Sequence, residues 1–331
     1  MVDGMPLEFG IHAASQIGRA TGKPDDPAAI DRLVRDLQGA GSFVVREYLH
    51  FLGEPADPEK ARLLRPADRL RALTMPDHWY ADGRHLDLVL CYQPEEPDIA
   101  GWLSFIDEVI ARYGHLVRYL QITLEPNFPI EWIDGSSPGI LEALIRGVPH
   151  ARRALAAAGY HDVALGFSVA EPAEWLGGDE PFWAALAAVP PAEFAEHIDY
   201  IGLALYPDAF SPVPADAVAD LIRHGITHLR ETCLPQAHLT ATTPIHLCEN
   251  GTPTAPDRTP AEQAARLETM IRTIASCAKS ANITVYELFG LRDPVSANPE
   301  PLTQLGITTD DYTPKPAYAT YRTLIGELGA R

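Results

Sequence analysis

The chain has 331 residues, with 26 basic against 45 acidic side chains and a formal net charge of −19; that balance argues against nucleic acid and anionic membrane as partners and favours solubility. Hydrophobic residues make up 46% of it, enough for a large core, which excludes wholesale disorder. No run reaches transmembrane length, the first residues lack a basic start and an apolar stretch of signal length, and Cys91, Cys233, Cys248 and Cys277 are scattered with no Cys-x-x-Cys pair, so the expectation is a cytoplasmic protein with reduced thiols.

Strand-like and helix-like runs then alternate. Residues 7–13 are a short apolar run, and 27–39 read as a helix with Ile30, Leu33, Val34 and Leu37 on one face. Residues 42–49 are a strand in which Phe43, Val44 and Val45 lead to Arg46, Glu47 and Tyr48. The stretch 57–73 reads as helical, although it is Arg-rich and broken by Pro66. A strand at 86–92 is followed by an amphipathic helix at 98–113 closed by Gly114, then a strand at 117–125 and a long helix at 139–158 ended by Gly159. The fifth strand is 163–169, followed by short helices at 180–189 and 192–197 around Pro190 and Pro191. A sixth strand at 198–206 precedes a helix at 215–234, and a seventh at 245–249 precedes a helix at 260–281 opened by Thr259 with Pro260 at its first position. The eighth strand is 283–289, and a helix at 316–328 closes the chain after a Pro-rich loop.

Eight strands alternating with helical segments at a spacing of roughly 30 to 45 residues predict an α/β chain folded as a single-domain (β/α)8 TIM barrel. The alternative is a doubly wound open sheet. No Gly-x-Gly-x-x-Gly follows the first strand and no Gly-Lys-Ser/Thr loop occurs, so nucleotide-binding forms of that alternative lose support. In a barrel the carboxyl ends of all strands converge on one face, where active sites lie. Here those ends carry His12, Arg46 with Tyr48, Tyr92 with Gln93, Glu125 with Asn127, Ser168, Tyr206 with Asp208, Glu249 with Asn250, and Glu287 with Phe289. Strand exits are commonly polar, which accounts for part of this set. It accounts less well for Glu125 and Glu249, because Pro126 and the Asn250-Gly251 pair constrain the backbone beside them.

Two carboxylates, each on its own strand tip, are what glycoside hydrolysis needs. Trp132 and Trp175 lie in the loops after the fourth and fifth strands, either to stack on a sugar ring or to anchor packing. His224 and His228 are four apart on a helix with no completing ligand nearby, which reads as a solvated face, so no metal is expected. No Gly-x-Ser-x-Gly elbow occurs, which leaves serine hydrolase chemistry unsupported.

At these positions the chain resembles the clan A retaining glycoside hydrolases. Leu124-Glu125-Pro126-Asn127 is similar to their Asn-Glu-Pro signature, and Cys248-Glu249-Asn250-Gly251 to the strand that carries their nucleophile. The run from Ile201 to Pro207 is similar to their sixth strand, whose Tyr touches the nucleophile, here Tyr206; Arg46 matches an Arg at the second strand tip, and Thr-Pro-Lys-Pro-Ala-Tyr at 313–318 resembles the lead-in to the last helix. The resemblance implies Glu125 as general acid/base and Glu249 as nucleophile, with Arg46, Tyr206, Asn127, Tyr92, Trp132, Trp175, Glu287 and Phe289 as candidate substrate contacts and no cofactor. It implies a small glycoside or short oligosaccharide as substrate, with a barrel turned to another acid/base reaction on a small metabolite, or a non-catalytic binder, as alternatives.

Two departures bear on the substrate. The clan has Asn before the acid/base, contacting the sugar 2-hydroxyl, where this chain has Leu124, and Trp at the end of the eighth strand, where Phe289 is the nearest match. Leu124 leaves three options: a substrate without that hydroxyl, a different reaction, or another side chain such as Asn127 reaching the same place.

Overall fold

In the computed structural model of the chain, described over residues 5–14, 22–54, 56–64, 70–172, 176–255 and 258–330, eight strands close on themselves in sequence order. They are β1 (Glu8–His12), β2 (Phe43–Phe51), β3 (Arg84–Tyr92), β4 (Val117–Ile122), β5 (Ala164–Ala170), β6 (Tyr200–Leu205), β7 (Ile245–Asn250) and β8 (Ile283–Leu288). Every neighbouring pair is parallel, and the ring is sealed where β1 meets β8, with Gly10 opposite Glu287. This is a (β/α)8 barrel, as the strand–helix rhythm predicts.

The period of two along each strand sorts side chains between two environments. Leu86, Leu88, Leu90 and Tyr92 on β3, with Leu120 and Ile122 on β4, join one apolar layer with the surrounding helices. The alternate positions, Arg46, Asp87 and Gln121, are buried and bonded to one another across the barrel. The helices supply the other half of the layer. Pro27–Gln38 starts at Asp26, whose side chain accepts from the N–H groups of Ala28 and Ala29, and buries Ile30, Leu33, Val34 and Leu37 at helical spacing. Each such aliphatic side chain stabilises the fold by about 1.5–3 kcal/mol. Pro260–Ala281 opens on a capping box between Thr259 and Glu262.

Four elements differ from expectation. Within 57–73 the helix covers only Pro58–Leu64, and Pro66 lies outside the described residues. The stretch 192–197 resolves into two 3-10 turns, Pro191–Glu193 and Ala195–His197, because prolines remove the N–H donors an α-helix would need. The helix read over 215–234 begins at Val218 and widens into a π-turn at Leu229–Cys233. The fourth strand stops at Ile122 rather than Glu125, since Thr123 and Glu125 take positive φ of 68° and 46°. No described helix is long and apolar enough to cross a membrane.

Candidate active site

At the carboxyl end of the barrel two acidic side chains are held in contrasting ways. Glu249 comes from β7, where strict alternation would turn it outward. His246 and Cys248 occupy inward positions: a Cβ on Gly202 of β6 would lie 2.8 Å from the Cys248 sulfur. Register shifts against both β6 and β8 interrupt the alternation. Such bulges re-aim a side chain, and here Glu249 is brought inward. Its Oε1 accepts from Tyr48 Oη at 2.6 Å and Arg46 Nη2 at 3.5 Å, and its Oε2 accepts from Tyr206 Oη at 3.1 Å. All three partners donate, so both oxygens act as acceptors, the hydrogen-bonding role of a carboxylate.

Arg46 is completely buried and ties this arrangement together. Its Nε donates to Tyr48 Oη at 2.7 Å, Nη1 to Asp87, and Nη2 to Gln121 Oε1 at 3.0 Å. Gln121 passes the connection on, its Nε2 donating to Ser168 Oγ at 2.8 Å, and the same oxygen accepts from the backbone N–H of Glu125 at 3.2 Å. The arginine beneath one carboxylate is therefore linked by two side chains to the backbone that carries the other.

The turn that carries Glu125 is strapped by Asp134. One Asp134 oxygen accepts from the N–H groups of Tyr92 at 2.7 Å and Leu124 at 2.8 Å, the other from Gln93 Nε2 at 3.1 Å, which joins the tips of β3 and β4. Burial lifts the Asp134 carboxyl to about 7 despite those donors. Glu125 is 6% exposed, and burial first, then the charge of Glu249, pushes its carboxyl well above the usual carboxylate range. The two glutamates thus sit in contrasting surroundings, Glu249 among donors and Glu125 buried beside a negative charge.

An aromatic wall flanks them. Phe289 stacks on His12 at 4.8 Å and meets Tyr48 and Tyr206 edge-on. His12 Nδ1 donates to the Arg46 carbonyl at 3.2 Å, and burial depresses the imidazole's pKa, which keeps it neutral. Leu124 packs in one cluster with Tyr48, Val89, Cys91, Ile133 and Phe289, and Tyr48 reaches from that cluster to Glu249 through its hydroxyl.

Of the residues singled out in the sequence, Glu125, Glu249, Arg46, Tyr206 and Phe289 meet here. Others stand elsewhere. Tyr92 shares the outward phase of Leu86, Leu88 and Leu90, stacks on Phe51, meets Trp102 edge-on, and accepts from the Asp98 N–H with its hydroxyl. Asn127 has no free N–H to take the place of an Asn before Glu125: its amide donates to Ala170 O and Asp179 Oδ2, both at 2.9 Å, and its oxygen accepts from Ala170 N. It ties the loop after β4 to the end of β5. Trp132 packs against Leu52, Leu63 and Leu64, with Lys60 Nζ over its ring at 5.7 Å. Glu287 lies fully buried inside the barrel, below the pocket. Trp175 lies outside the described residues.

Sequence reasoning passed over Asp87, Gln121 and Asp134. Asp87 and Gln121 had a signal, being polar side chains in the middle of otherwise apolar strands. Asp134 had none, because its partners, two backbone N–H groups and the Gln93 amide, come from two other segments.

No family model matches the chain, and no curated protein matches it in sequence. Solved structures do match. The chain superposes on a family 39 glycoside hydrolase from Bacteroides cellulosilyticus WH2 with a TM-score of 0.59 and 15% identity, covering 96% of this chain and 63% of that one. A glucosidase from Croceicoccus marinus gives 0.61 and 16%, covering 97% and 70%. A GH1 β-glucosidase from Exiguobacterium antarcticum B7 gives 0.63 and 12%, covering 99% of both chains. The fold is a (β/α)8 barrel, shared with these glycoside hydrolases. The chain spans less than two thirds of the family 39 enzyme it matches, and at such identities the likeness is one of fold.

Proposed function

We propose that this barrel is a retaining glycoside hydrolase acting on a small glycoside or short oligosaccharide, with Glu249 as nucleophile and Glu125 as general acid/base. The observation that carries the reading is the asymmetry of the pair: Glu249 receives Tyr48, Tyr206 and Arg46 as donors, while Glu125 is buried beside the Glu249 charge and raised in pKa. In the first step a Glu249 oxygen forms a bond to the anomeric carbon as the glycosidic C–O bond breaks, and Glu125 gives its proton to the departing oxygen. In the second, Glu125 takes a proton from water, the water oxygen bonds to the anomeric carbon, and Glu249 leaves as carboxylate. Tyr48 and Tyr206 orient the attacking oxygens, and no cofactor is needed. Leu124 and Phe289, packed on the fully buried Val89 and Cys91, favour a 2-deoxy or otherwise modified sugar, because neither side chain can pair a hydroxyl set against it.

The test is a panel of aryl glycosides with three proteins. Glu249→Gln is expected to abolish turnover of all of them. Glu125→Gln is expected to spare substrates with acidic leaving groups, which need no protonation, in the glycosylation step. A mechanism-based epoxide analogue is expected to label Glu249. Unchanged turnover in both variants, on a substrate the wild type hydrolyses, would sink the assignment.

A further inference from the structure

Inside the barrel, below the pocket, a second acidic pair has no place in the steps above. Asp87 on β3 and Glu287 on β8 are both fully buried. One Asp87 oxygen is engaged by Arg46. The other, and both oxygens of Glu287, find no N–H or O–H donor among the described residues. The two carboxyls are neighbours, placed so that one can bond the other once a proton lies between them.

We infer that Asp87 and Glu287 share one proton, and that Glu287, through Asp87, is a positioning residue for the Arg46 guanidinium that serves Glu249. Two carboxylates meeting in a buried interior cannot both ionise, because each charge raises the cost of the other. The groups around them leave that balance in place. Arg46 is the cation facing the pair, and it also serves Glu249. Tyr200 on β6, Cys248 on β7 and Tyr321 on the last helix face the pair as neutral groups, each with its pKa raised by burial. Burial and then the Asp87 charge push the Glu287 carboxyl well above the usual range, whereas Arg46 offsets part of the burial effect at Asp87. As the acid, Glu287 donates to the free Asp87 oxygen, Asp87 holds Nη1 of Arg46, and the remaining guanidinium N–H groups point to Tyr48, Gln121 and Glu249. Loss of the proton would put a second negative charge beneath Arg46, in competition with Glu249.

The sign for stability follows. A carboxyl raised in the folded state contributes fully below its unfolded value, about 4.3 for Glu, and that contribution is lost as pH rises through the folded value. A glutamine at 287 stays neutral and still offers an N–H to Asp87.

The test therefore compares wild type, Glu287→Gln and Glu287→Leu without any substrate. Between about pH 5 and pH 9 the unfolding temperature of the wild type is expected to fall more steeply than that of E287Q, which should be the more stable by about 2–4 °C at the alkaline end. E287L, lacking a donor, should be the less stable at every pH. The infrared difference between wild type and E287Q at neutral pH should show loss of a carboxylic-acid C=O band. Should E287Q not fold, Asp87→Asn takes its place, and the same acid band is expected to disappear or shift. A difference spectrum with only carboxylate bands, or parallel pH profiles for wild type and E287Q, would overturn the shared proton. The link to Glu249 rests on the proposed function and has its own readout. In active enzyme, the alkaline limb of kcat/KM should move to higher pH in E287Q, and an unmoved limb would overturn the positioning role. Absence of turnover in the wild type would count against the hydrolase reading while leaving the proton-sharing test intact.

Discussion

Replacing Leu124 by Asn tests what the pocket is built to hold. Leu124 is 7% exposed and packs with Tyr48, Val89, Cys91 and Phe289; the strong polar group among these is the Tyr48 hydroxyl, which is already engaged by Arg46 and Glu249. A 2-hydroxyl buried there unpaired costs about 1–3 kcal/mol, a factor of about 5 to 150 in kcat/KM. The expected wild-type preference is therefore for a 2-deoxyglycoside over its 2-hydroxy partner with the same leaving group. Leu124→Asn supplies the missing amide, and the ratio of the two kcat/KM values should shift towards the 2-hydroxy sugar by about 10- to 100-fold. Emptying a buried leucine site also destabilises the fold by about 2–5 kcal/mol, so assays belong well below the unfolding temperature. Comparing ratios between the two proteins cancels both this loss and the greater intrinsic reactivity of deoxyglycosides. Leu124→Met, of similar volume and still apolar, should leave the ratio within about twofold. A wild type that prefers the 2-hydroxy sugar, with a ratio unmoved in Leu124→Asn, would refute the reasoning.

Tyr48→Phe removes a donor 2.6 Å from Glu249 and leaves Arg46 Nε without its acceptor, so kcat/KM should fall by about 10- to 100-fold, measured on an aryl glycoside. A change below twofold would mean that Tyr206 and Arg46 alone suffice. Asn127→Ala should lower stability by about 1–3 kcal/mol in a denaturant titration while KM stays constant, because its amide is spent on Ala170 and Asp179. A raised KM with unchanged stability would return Asn127 to the substrate.

The amino-acid sequence by itself determined the barrel and the strand tips. Alternating strand and helix periods, closed by caps such as Asp26 and the Thr259–Glu262 box, are local signals, and each element reports its own type without knowledge of the others. The same period of two assigns Tyr92 to the helix-facing layer rather than the pocket, because it shares one phase with Leu86, Leu88 and Leu90. What the tertiary structure decided depends on residues far apart in the chain. The shifts that bring Glu249 inward arise where β7 must register with β6 on one side and β8 on the other. Asn127 became a clamp because Ala170 and Asp179 arrive from other segments, and Asp134 became a strap because two backbone N–H groups converge on it. Arg46 reads from sequence as a strand-tip residue, but β2 runs on to Phe51, so it lies mid-strand inside the barrel, and its partners Asp87, Gln121 and Glu249 come from three other strands. Sequence spacing fixes which way a side chain leaves its own strand; which charge waits for it across the barrel is set only when the sheet closes, because the partner's distance is a property of the closed ring.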